Sequence, residues 1–363
     1  MNKRDFLKTS LLASAGILAA TGCTPAKTKA GEATAERYKH WVWENPNLDD
    51  DEQKLSDKYQ RFFEAGIRGM FFEHDSEKHF RIAKQAGLET HRWMWTMNRG
   101  EKELREQHPD WFAVSRNGQS CATNPPYVDY YRWLCPSKTE TQDYLKARVN
   151  EILELDYVDG IHLDYVRYCD VILPLDLWKT YNIVQEKELP EYDFCYCDTC
   201  RTNFKAEFGT DPLELPYPDA SLSWRNYRYA RIANVVNQLS EIAAAHNKKI
   251  TAAVFPTPEV ARRNVRQDWT NWKLDGICPM IYHGFYQEPV SWIGDAVNEG
   301  VHFLCDRFPL YAGLFLPNFK SADELKEGIQ CALQNGAAGV SLFGNVTPEV
   351  LATLHQFQSK NNL

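Results

Sequence analysis

The chain has 363 residues, of which 44% are hydrophobic and 25% are charged, and its formal net charge is -8. That length allows either two average domains or one large α/β barrel. Because the charge balance is mildly acidic and no basic run follows the N-terminal segment, the composition excludes the electrostatic footprint of a nucleic-acid-binding protein.

The first 36 residues have the pattern of an export signal followed by a tether. A basic NKRDFLK segment precedes a short apolar run and the small residues that lead to Cys23. Because that run is too short to span a bilayer, the pattern predicts a lipoprotein signal peptide over residues 1–22 and acylation of the Cys23 thiol. The alternative is an ordinary buried helix. Lys3 stands where a twin-arginine signal has its first arginine, which leaves Sec and Tat export both open.

Small polar residues over 23–36 predict a flexible tether between the lipid and the folded domain. We therefore expect an exported chain that is anchored in the bacterial cell envelope, in the periplasm or on the cell surface. Its N-terminal lipid is the only membrane contact that we expect.

From residue 37 onward, short β-rich runs alternate with amphipathic stretches of helical length, which is the pattern of repeated βα units. Eight strands are predicted, at 40–44, 69–73, 90–97, 160–165, 250–255, 276–282, 310–316 and 339–343. Helical patterns lie between them, at 54–65, 77–85, 141–155, 225–246, 259–272 and 322–335. This favours an α/β fold with a single (β/α)8 TIM barrel over residues 37–363. No GxGxxG follows the first strand, which weakens a dinucleotide-binding alternative.

Two of the predicted loops are long, at 98–139 after the third strand and at 166–223 after the fourth. Long loops in a compact domain usually carry function, and the loops that follow the strands of this barrel build its active-site face. The chemistry is therefore expected near strands three and four.

The segment DGIHLDYVRY, which contains the fourth strand, carries the strongest functional signal. Alternation along a strand puts His162 and Asp164 on one face and the apolar Ile161 and Leu163 on the other. A carboxylate at the C-terminal end of a barrel strand is typical of a catalytic residue. The alternative is a buried ion pair of Asp164 with a nearby arginine, either Arg167 or Arg92.

This segment is one of five that resemble a known family. With HPDWFAVSRNGQS, YYRWLCPS, FPTPEVARRNVRQDW and CPMIYHGFY, it looks like the bacterial glycosyl-hydrolase-like proteins related to the family-10-type hypothetical glycosidases. The likeness runs in order along residues 37–350. It implies a (β/α)8 barrel, glycoside hydrolysis, and Asp164 as the catalytic carboxylate. It implies nothing about the sugar.

Glycoside hydrolysis normally needs a second carboxylate, roughly 5 Å from the first for retention of configuration or about 6.5–9.5 Å for inversion. Predicted strands five, seven and eight end without an acid, unlike those of the large barrel-glycosidase clans. The remaining candidates are Glu44, Glu73, Asp75 and Asp170. We favour Glu73, because it ends a predicted strand in the plane of Asp164.

Other side chains near the strand ends are expected to contact the substrate. They are Trp43, Glu44, Trp95, His162, Arg167, Tyr282 and His283. Tryptophan rings would stack on sugar, whereas Arg167 and His283 would bond hydroxyl groups or steady the acid. The alternatives are that Trp43 is a core residue and His283 a capped loop residue.

Three cysteines, Cys195, Cys197 and Cys200, lie together in CYCDTC within the long loop after strand four. They could begin a structural zinc site with Cys169 as the fourth ligand. Disulfides among the same residues are an equal alternative, because the compartment is oxidising. We interpret the cluster as a staple of the loop, expect no catalytic metal or required cofactor, and regard Cys121 with Cys135 as a second candidate staple.

The first functional hypothesis is a glycoside hydrolase that acts on oligo- or polysaccharide, with Asp164 as nucleophile or acid and Glu73 as its partner. A noncatalytic glycan-binding lipoprotein on the same barrel is the alternative, since three strand ends lack an acid. A carbohydrate lyase with Tyr282 or His283 as base is the third.

Overall fold

The computed structural model describes residues 38–358, so the predicted signal peptide, Cys23 and the tether lie outside the described residues. Eight strands form one sheet. They are β1 (His40–Glu44), β2 (Ile67–Phe72), β3 (Glu89–Trp95), β4 (Gly160–Asp164), β5 (Lys249–Val254), β6 (Gly276–Pro279), β7 (Tyr311–Phe315) and β8 (Gly339–Phe343). Across this part of the chain, no helix has the length and apolar character needed to cross a membrane.

Every paired strand is parallel to its neighbour, and the order across the sheet is β6-β5-β4-β3-β2-β1-β8-β7. The two outermost strands of that order, β6 and β7, are joined by parallel bridges between Ile277 and Leu310 and between Met280 and Gly313. The sheet is therefore a nearly closed barrel, and the prediction of a (β/α)8 fold is confirmed.

Helices follow the strands along the chain. They are α1 (Glu52–Glu64), α2 (Glu77–Gln85), α3 (Lys102–Gln107), α4 (Thr139–Glu154), α5 (Leu175–Thr180), α6 (Asp198–Phe208), α7 (Leu222–Ala245), α8 (Pro258–Val265), α9 (Trp292–Leu304), α10 (Ala322–Gln334) and α11 (Pro348–His355). The prediction of one helix over 259–272 is wrong at its C-terminal end. Arg266 adopts a left-handed conformation with φ 54°, which ends α8 at Val265.

Inward-facing and outward-facing side chains alternate along the strands, as a two-residue period requires. On β1, Trp41 and Trp43 pack inside the barrel with Phe71, whereas Val42 joins the core between sheet and helices. Gly69 on β2 makes room for this filling, because a Cβ atom there would lie 2.1 Å from the Trp41 ring. Large aromatic rings therefore fill the lumen.

A line of hydrogen-bonded polar side chains also lies inside the barrel. Trp43 Nε1 donates to His162 Nε2 at 3.0 Å, and His162 Nδ1 lies 2.9 Å from Thr251 Oγ1. The same hydroxyl lies 3.0 Å from His91 Nδ1. Burial, with a smaller contribution from His91, holds the pKa of His162 well below its usual value of 6.5. His162 is therefore a neutral, fully buried residue whose ring nitrogens are both bonded.

Candidate active site

A cavity of about 260 Å³ opens at the C-terminal ends of the strands. Most of its wall is aromatic, and these lining residues are Trp43, Trp93, Trp95, Tyr131, Tyr165, Phe255, Tyr282, Phe285, Tyr286 and Phe343. The charged side chains in the wall are Asp164, Arg167 and Asp170. A concave, mainly apolar pocket with a few convergent polar groups is the usual form of a small-molecule site.

Strands supply the inner part of the wall, and the segments that follow them supply the rest. Tyr131 comes from the segment between β3 and α4, and Arg167 and Asp170 from the segment after β4. Tyr282 and Tyr286 come from the turn that follows β6. The two longest connections therefore both contribute to the cavity, at the face where this fold places its active sites.

Asp164 is the last residue of β4, and two donors hold its carboxylate. Tyr165 N–H donates to Oδ1 at 2.6 Å, and Trp93 Nε1 donates to Oδ2 at 3.0 Å. Tyr165 adopts a left-handed conformation with φ 48°, and backbone conformations of this kind cluster at functional sites. The carboxylate is thus held in one orientation at the cavity wall.

The pKa of Asp164 is raised above the usual aspartate value of 3.8, first by burial and further by the negative charge of Glu73. The two hydrogen bonds and the positive charge of Arg167 oppose this shift without cancelling it. A carboxyl group in such surroundings keeps its proton to a higher pH than a solvated aspartate does. This is the property required of a general acid.

Asp170 forms a buried ion pair with Arg167 in the same cavity wall. Arg167 Nη1 lies 2.9 Å from Asp170 Oδ2 and donates to Tyr168 O at 3.0 Å. The guanidinium carbon also lies 4.7 Å from the centre of the Trp133 ring and 4.9 Å from that of Phe255. Aromatic packing and the carboxylate together fix Arg167 beside Asp164.

Asp164 itself forms no ion pair with another described residue, so the alternative of a pair with Arg167 or Arg92 is not observed. Arg92 Nε instead bonds Asp75 Oδ1 at 2.6 Å. The carboxylate of Asp164 is therefore not neutralised by a direct cationic partner.

The cavity brings together six of the residues that the sequence indicates as site residues or candidate acids. They are Trp43, Trp95, Asp164, Arg167, Asp170 and Tyr282. Glu73 lies in a neighbouring shallow cleft with Arg92 and Arg99 that shares Trp93 and Trp95 with the cavity. Its charge reaches Asp164, but its side chain does not line the cavity.

The remaining three predicted site residues lie elsewhere. The Glu44 side chain turns toward α1, where Oε1 accepts from Lys58 Nζ at 2.7 Å and from Tyr59 Oη at 3.2 Å. His162 lies inside the barrel beneath Trp43, and His283 packs against Phe319 with ring centres 5.0 Å apart. None of these three side chains lines the cavity.

Several lining residues are not indicated by the sequence, notably Trp93, Tyr131 and Tyr286. Trp93 could have been found, since it shares the inward face of β3 with Trp95 in THRWMW. Tyr131 lies in an irregular segment and Tyr286 ends a single 3-10 turn (His283–Tyr286), and neither is long enough for a periodic pattern to indicate which way a side chain points.

Among the described residues, the one group arranged to hold a metal ion is Cys135, Cys195, Cys197 and Cys200, whose sulfur atoms all lie within 4.8 Å of one another. The prediction of Cys169 as the fourth member is wrong, because its sulfur points toward Asp170 O at 3.8 Å instead. Cys121 is a free buried thiol and does not pair with Cys135. The cluster does not line the cavity.

Comparison with known proteins identifies a family and a fold. Residues 79–301 match the family model described as Glycosyl hydrolase-like 10. None of the curated proteins matches the chain.

Solved structures with a similar fold include the catalytic domain of a β-amylase from Paenibacillus polymyxa, with a TM-score of 0.59 and 11% identity over 90% of this chain and 98% of that one. A GH36 α-galactosidase from Geobacillus stearothermophilus gives a TM-score of 0.52 and 12% identity, covering 90% of this chain and 41% of that one. An α-galactosidase from Thermus thermophilus gives a TM-score of 0.51 and 12% identity, covering 90% of this chain and 62% of that one. At these identities the similarity establishes the fold alone.

Proposed function

The chain belongs to the glycosyl hydrolase-like 10 family, and we propose that it is a glycoside hydrolase in which Asp164 is the proton donor. The observation that carries this proposal is the position of a carboxyl group with a raised pKa in the wall of an aromatic cavity. Protonated Asp164 would give its proton to the glycosidic oxygen as the bond from that oxygen to the anomeric carbon breaks.

Asp170 is the proposed second carboxylate. It lines the same cavity as Asp164, and its Oδ2 lies 2.9 Å from Arg167 Nη1, which fixes the carboxylate in the cavity wall. Glu73, the partner indicated by the sequence, stays the alternative. In that case the substrate would have to reach the neighbouring cleft beyond Trp93 and Trp95.

The proposed substrate is an oligo- or polysaccharide. Flat faces of Trp43, Trp95 and Tyr282 in the cavity wall suit the apolar faces of sugar rings. The N-terminal pattern supports an exported, lipid-anchored enzyme that meets such glycans in the cell envelope.

The test is a panel of oligo- and polysaccharides incubated with the full chain, followed by measurement of released reducing ends. Asp164→Asn is expected to lower the rate on the responsive substrate by roughly 10²–10⁴-fold, the usual contribution of a general acid. The matched control is Asp156→Asn, an aspartate whose side chain is 76% exposed, and we expect it to leave the rate unchanged.

Three outcomes would contradict the proposal. Full activity of Asp164→Asn would remove Asp164 from the chemistry. Tight glycan binding without release of reducing ends would favour a noncatalytic glycan-binding protein. Release of an unsaturated sugar that absorbs in the near ultraviolet would favour a lyase.

A further inference from the structure

We propose that Cys135, Cys195, Cys197 and Cys200 bind one structural zinc ion, which links the two long segments around the cavity. All four residues are buried, and their sulfur atoms converge although Cys135 lies 62 positions before Cys197 in the chain. Four converging thiols with a common centre form the donor set of a structural zinc site.

The spacing of the sulfur atoms fits a metal better than a disulfide. Cys135 Sγ lies 3.5 Å from Cys197 Sγ and 3.5 Å from Cys200 Sγ. Zinc–thiolate bonds of about 2.3 Å in tetrahedral geometry separate the sulfurs by about 3.8 Å, whereas a disulfide bond is about 2.05 Å long. One cysteine equidistant from two others is expected around a shared ion. A disulfide would bring one pair together and leave the third sulfur aside.

The surroundings supply what bound thiolates need. Val114 N–H donates to Cys195 Sγ at 3.4 Å, and the Ser137 hydroxyl lies 3.2 Å from Cys200 Sγ. Cys197 is the N-cap of α6 and Cys200 lies in its first turn, where the helix dipole stabilises negative charge. A backbone N–H donor such as that of Val114 commonly belongs to the outer shell of metal sites.

Four sulfur ligands select zinc or iron among the common biological metals. We assign zinc. The four thiols are buried, and a structural zinc ion is redox-inert, so it needs no access for electrons or substrate. None of the four cysteines lines the cavity, which separates this site from the glycosidase chemistry.

The ion would cross-link the two segments that carry the cavity residues. Cys135 belongs to the segment after β3, four positions beyond Tyr131, and the other three ligands belong to the segment after β4. The same two segments meet through Tyr196 N–H, which donates to Val114 O at 2.7 Å, and through the bridge between Ser115 and Phe194. Zinc would therefore hold the cavity wall in place without touching substrate.

Elemental analysis of the full chain, purified without added metal, tests the proposal directly. We expect one zinc per chain. Under denaturing conditions, four more thiols should be titrated in the presence of a chelator than in its absence. Reloading the metal-free chain with Co²⁺ should give the visible absorption of cobalt bound by four thiolates.

Two variants provide the matched comparison. Cys135→Ser is expected to lose its zinc during dialysis against a chelator, whereas Cys121→Ser, a buried free cysteine in the same segment, is expected to retain one zinc per chain. If Cys135→Ser fails to fold, the metal content and cobalt spectrum of the unaltered chain still decide the question.

Several results would overturn the proposal. A disulfide between any two of the four cysteines, found by mass mapping of the unreduced chain, would do so, as would a purified chain with four free thiols and no metal. One iron per chain would overturn the assignment to zinc. These readouts do not depend on hydrolase activity, so the zinc site and the glycosidase proposal can fail separately.

Discussion

Two polar regions lie one above the other in the barrel, and they differ in what their polar groups face. In the lower region, the Thr251 hydroxyl bonds both His91 and His162, and His162 also accepts from Trp43. In the upper region, Asp164 faces a cavity whose wall also carries a buried ion pair. His162 and Asp164 are two residues apart on the same face of β4. Position along the strand therefore decides whether an inward polar residue supports the barrel or faces a ligand.

The largest change in activity is expected when the proposed second carboxylate in the cavity wall, that of Asp170, is removed. Asp170→Ala should lower kcat/KM by roughly 10²–10⁴-fold. Added azide should restore part of the activity, because azide can attack the anomeric carbon while the proton of Asp164 goes to the departing oxygen, giving a glycosyl azide. A purely structural loss would not be rescued in this way. Chromatography of the products measures the glycosyl azide.

Glu73→Ala is the paired variant for that experiment. We expect a much smaller loss of activity and no glycosyl azide, since Glu73 lies outside the cavity. Azide rescue of Glu73→Ala, with none for Asp170→Ala, would reverse the assignment and restore the partner indicated by the sequence.

A substitution in the lower region should lower the stability of the fold. His162→Leu removes the acceptor of the Trp43 indole N–H and should lower the free energy of unfolding by about 1–3 kcal/mol, the usual cost of an unsatisfied buried polar group. Urea unfolding measures this. If His162→Leu lost activity while its free energy of unfolding stayed unchanged, the role of His162 in supporting the barrel would be contradicted.

The stability difference between the wild type and His162→Leu should depend on pH in one direction. The lowered pKa of His162 means that, below about pH 6.5, the unfolded chain takes up a proton that the folded chain does not. The wild type therefore loses this contribution to stability as pH falls through that value. The difference between wild type and His162→Leu should narrow in acid.

A smaller effect is expected from the aromatic wall. Trp95→Ala should raise KM by about 2–12-fold with little change in kcat, the equivalent of ~0.5–1.5 kcal/mol for one aromatic contact. Trp111→Ala is the control, since Trp111 stacks on His108 away from the cavity. A fall in kcat without a change in KM for Trp95→Ala would argue against a role in substrate binding.

The smallest effects are expected in the pH profile of kcat/KM, whose basic limb should report the loss of the Asp164 proton. Trp93→Phe removes a hydrogen bond that lowers the pKa of Asp164, so the limb should move to higher pH. Glu73→Gln removes a charge that raises the same pKa, so the limb should move to lower pH. Shifts in the same direction for both variants would contradict Asp164 as the titrating group.

The sequence was sufficient for the barrel and for the placement of Asp164. Both depend on local patterns, namely alternation along strands, helix periodicity between them, and the position of Asp164 at a strand end. Periodicity identifies the face of a strand but not the depth of a residue in the barrel. That is why His162 shares the pattern of Asp164 and yet lies beneath the cavity.

Residues outside the regular elements could not be placed in this way. Asp170 lies in an irregular segment, so the sequence names it as a candidate acid without showing that it pairs with Arg167 in the cavity wall. Cys135 joins CYCDTC through tertiary contacts between two segments, which no short-range pattern records. Glu44 ends a strand as expected, but β1 points its side chain outward to Lys58.

The most direct test of Asp164 as the proton donor is a series of aryl glycosides of the responsive sugar, with leaving phenols of increasing pKa. Asp164→Asn should cleave the best leaving groups at close to the wild-type rate, because these depart without a proton, and its deficit should grow steadily as the leaving group becomes poorer. An equal deficit across the whole series, or none at all, would contradict that role.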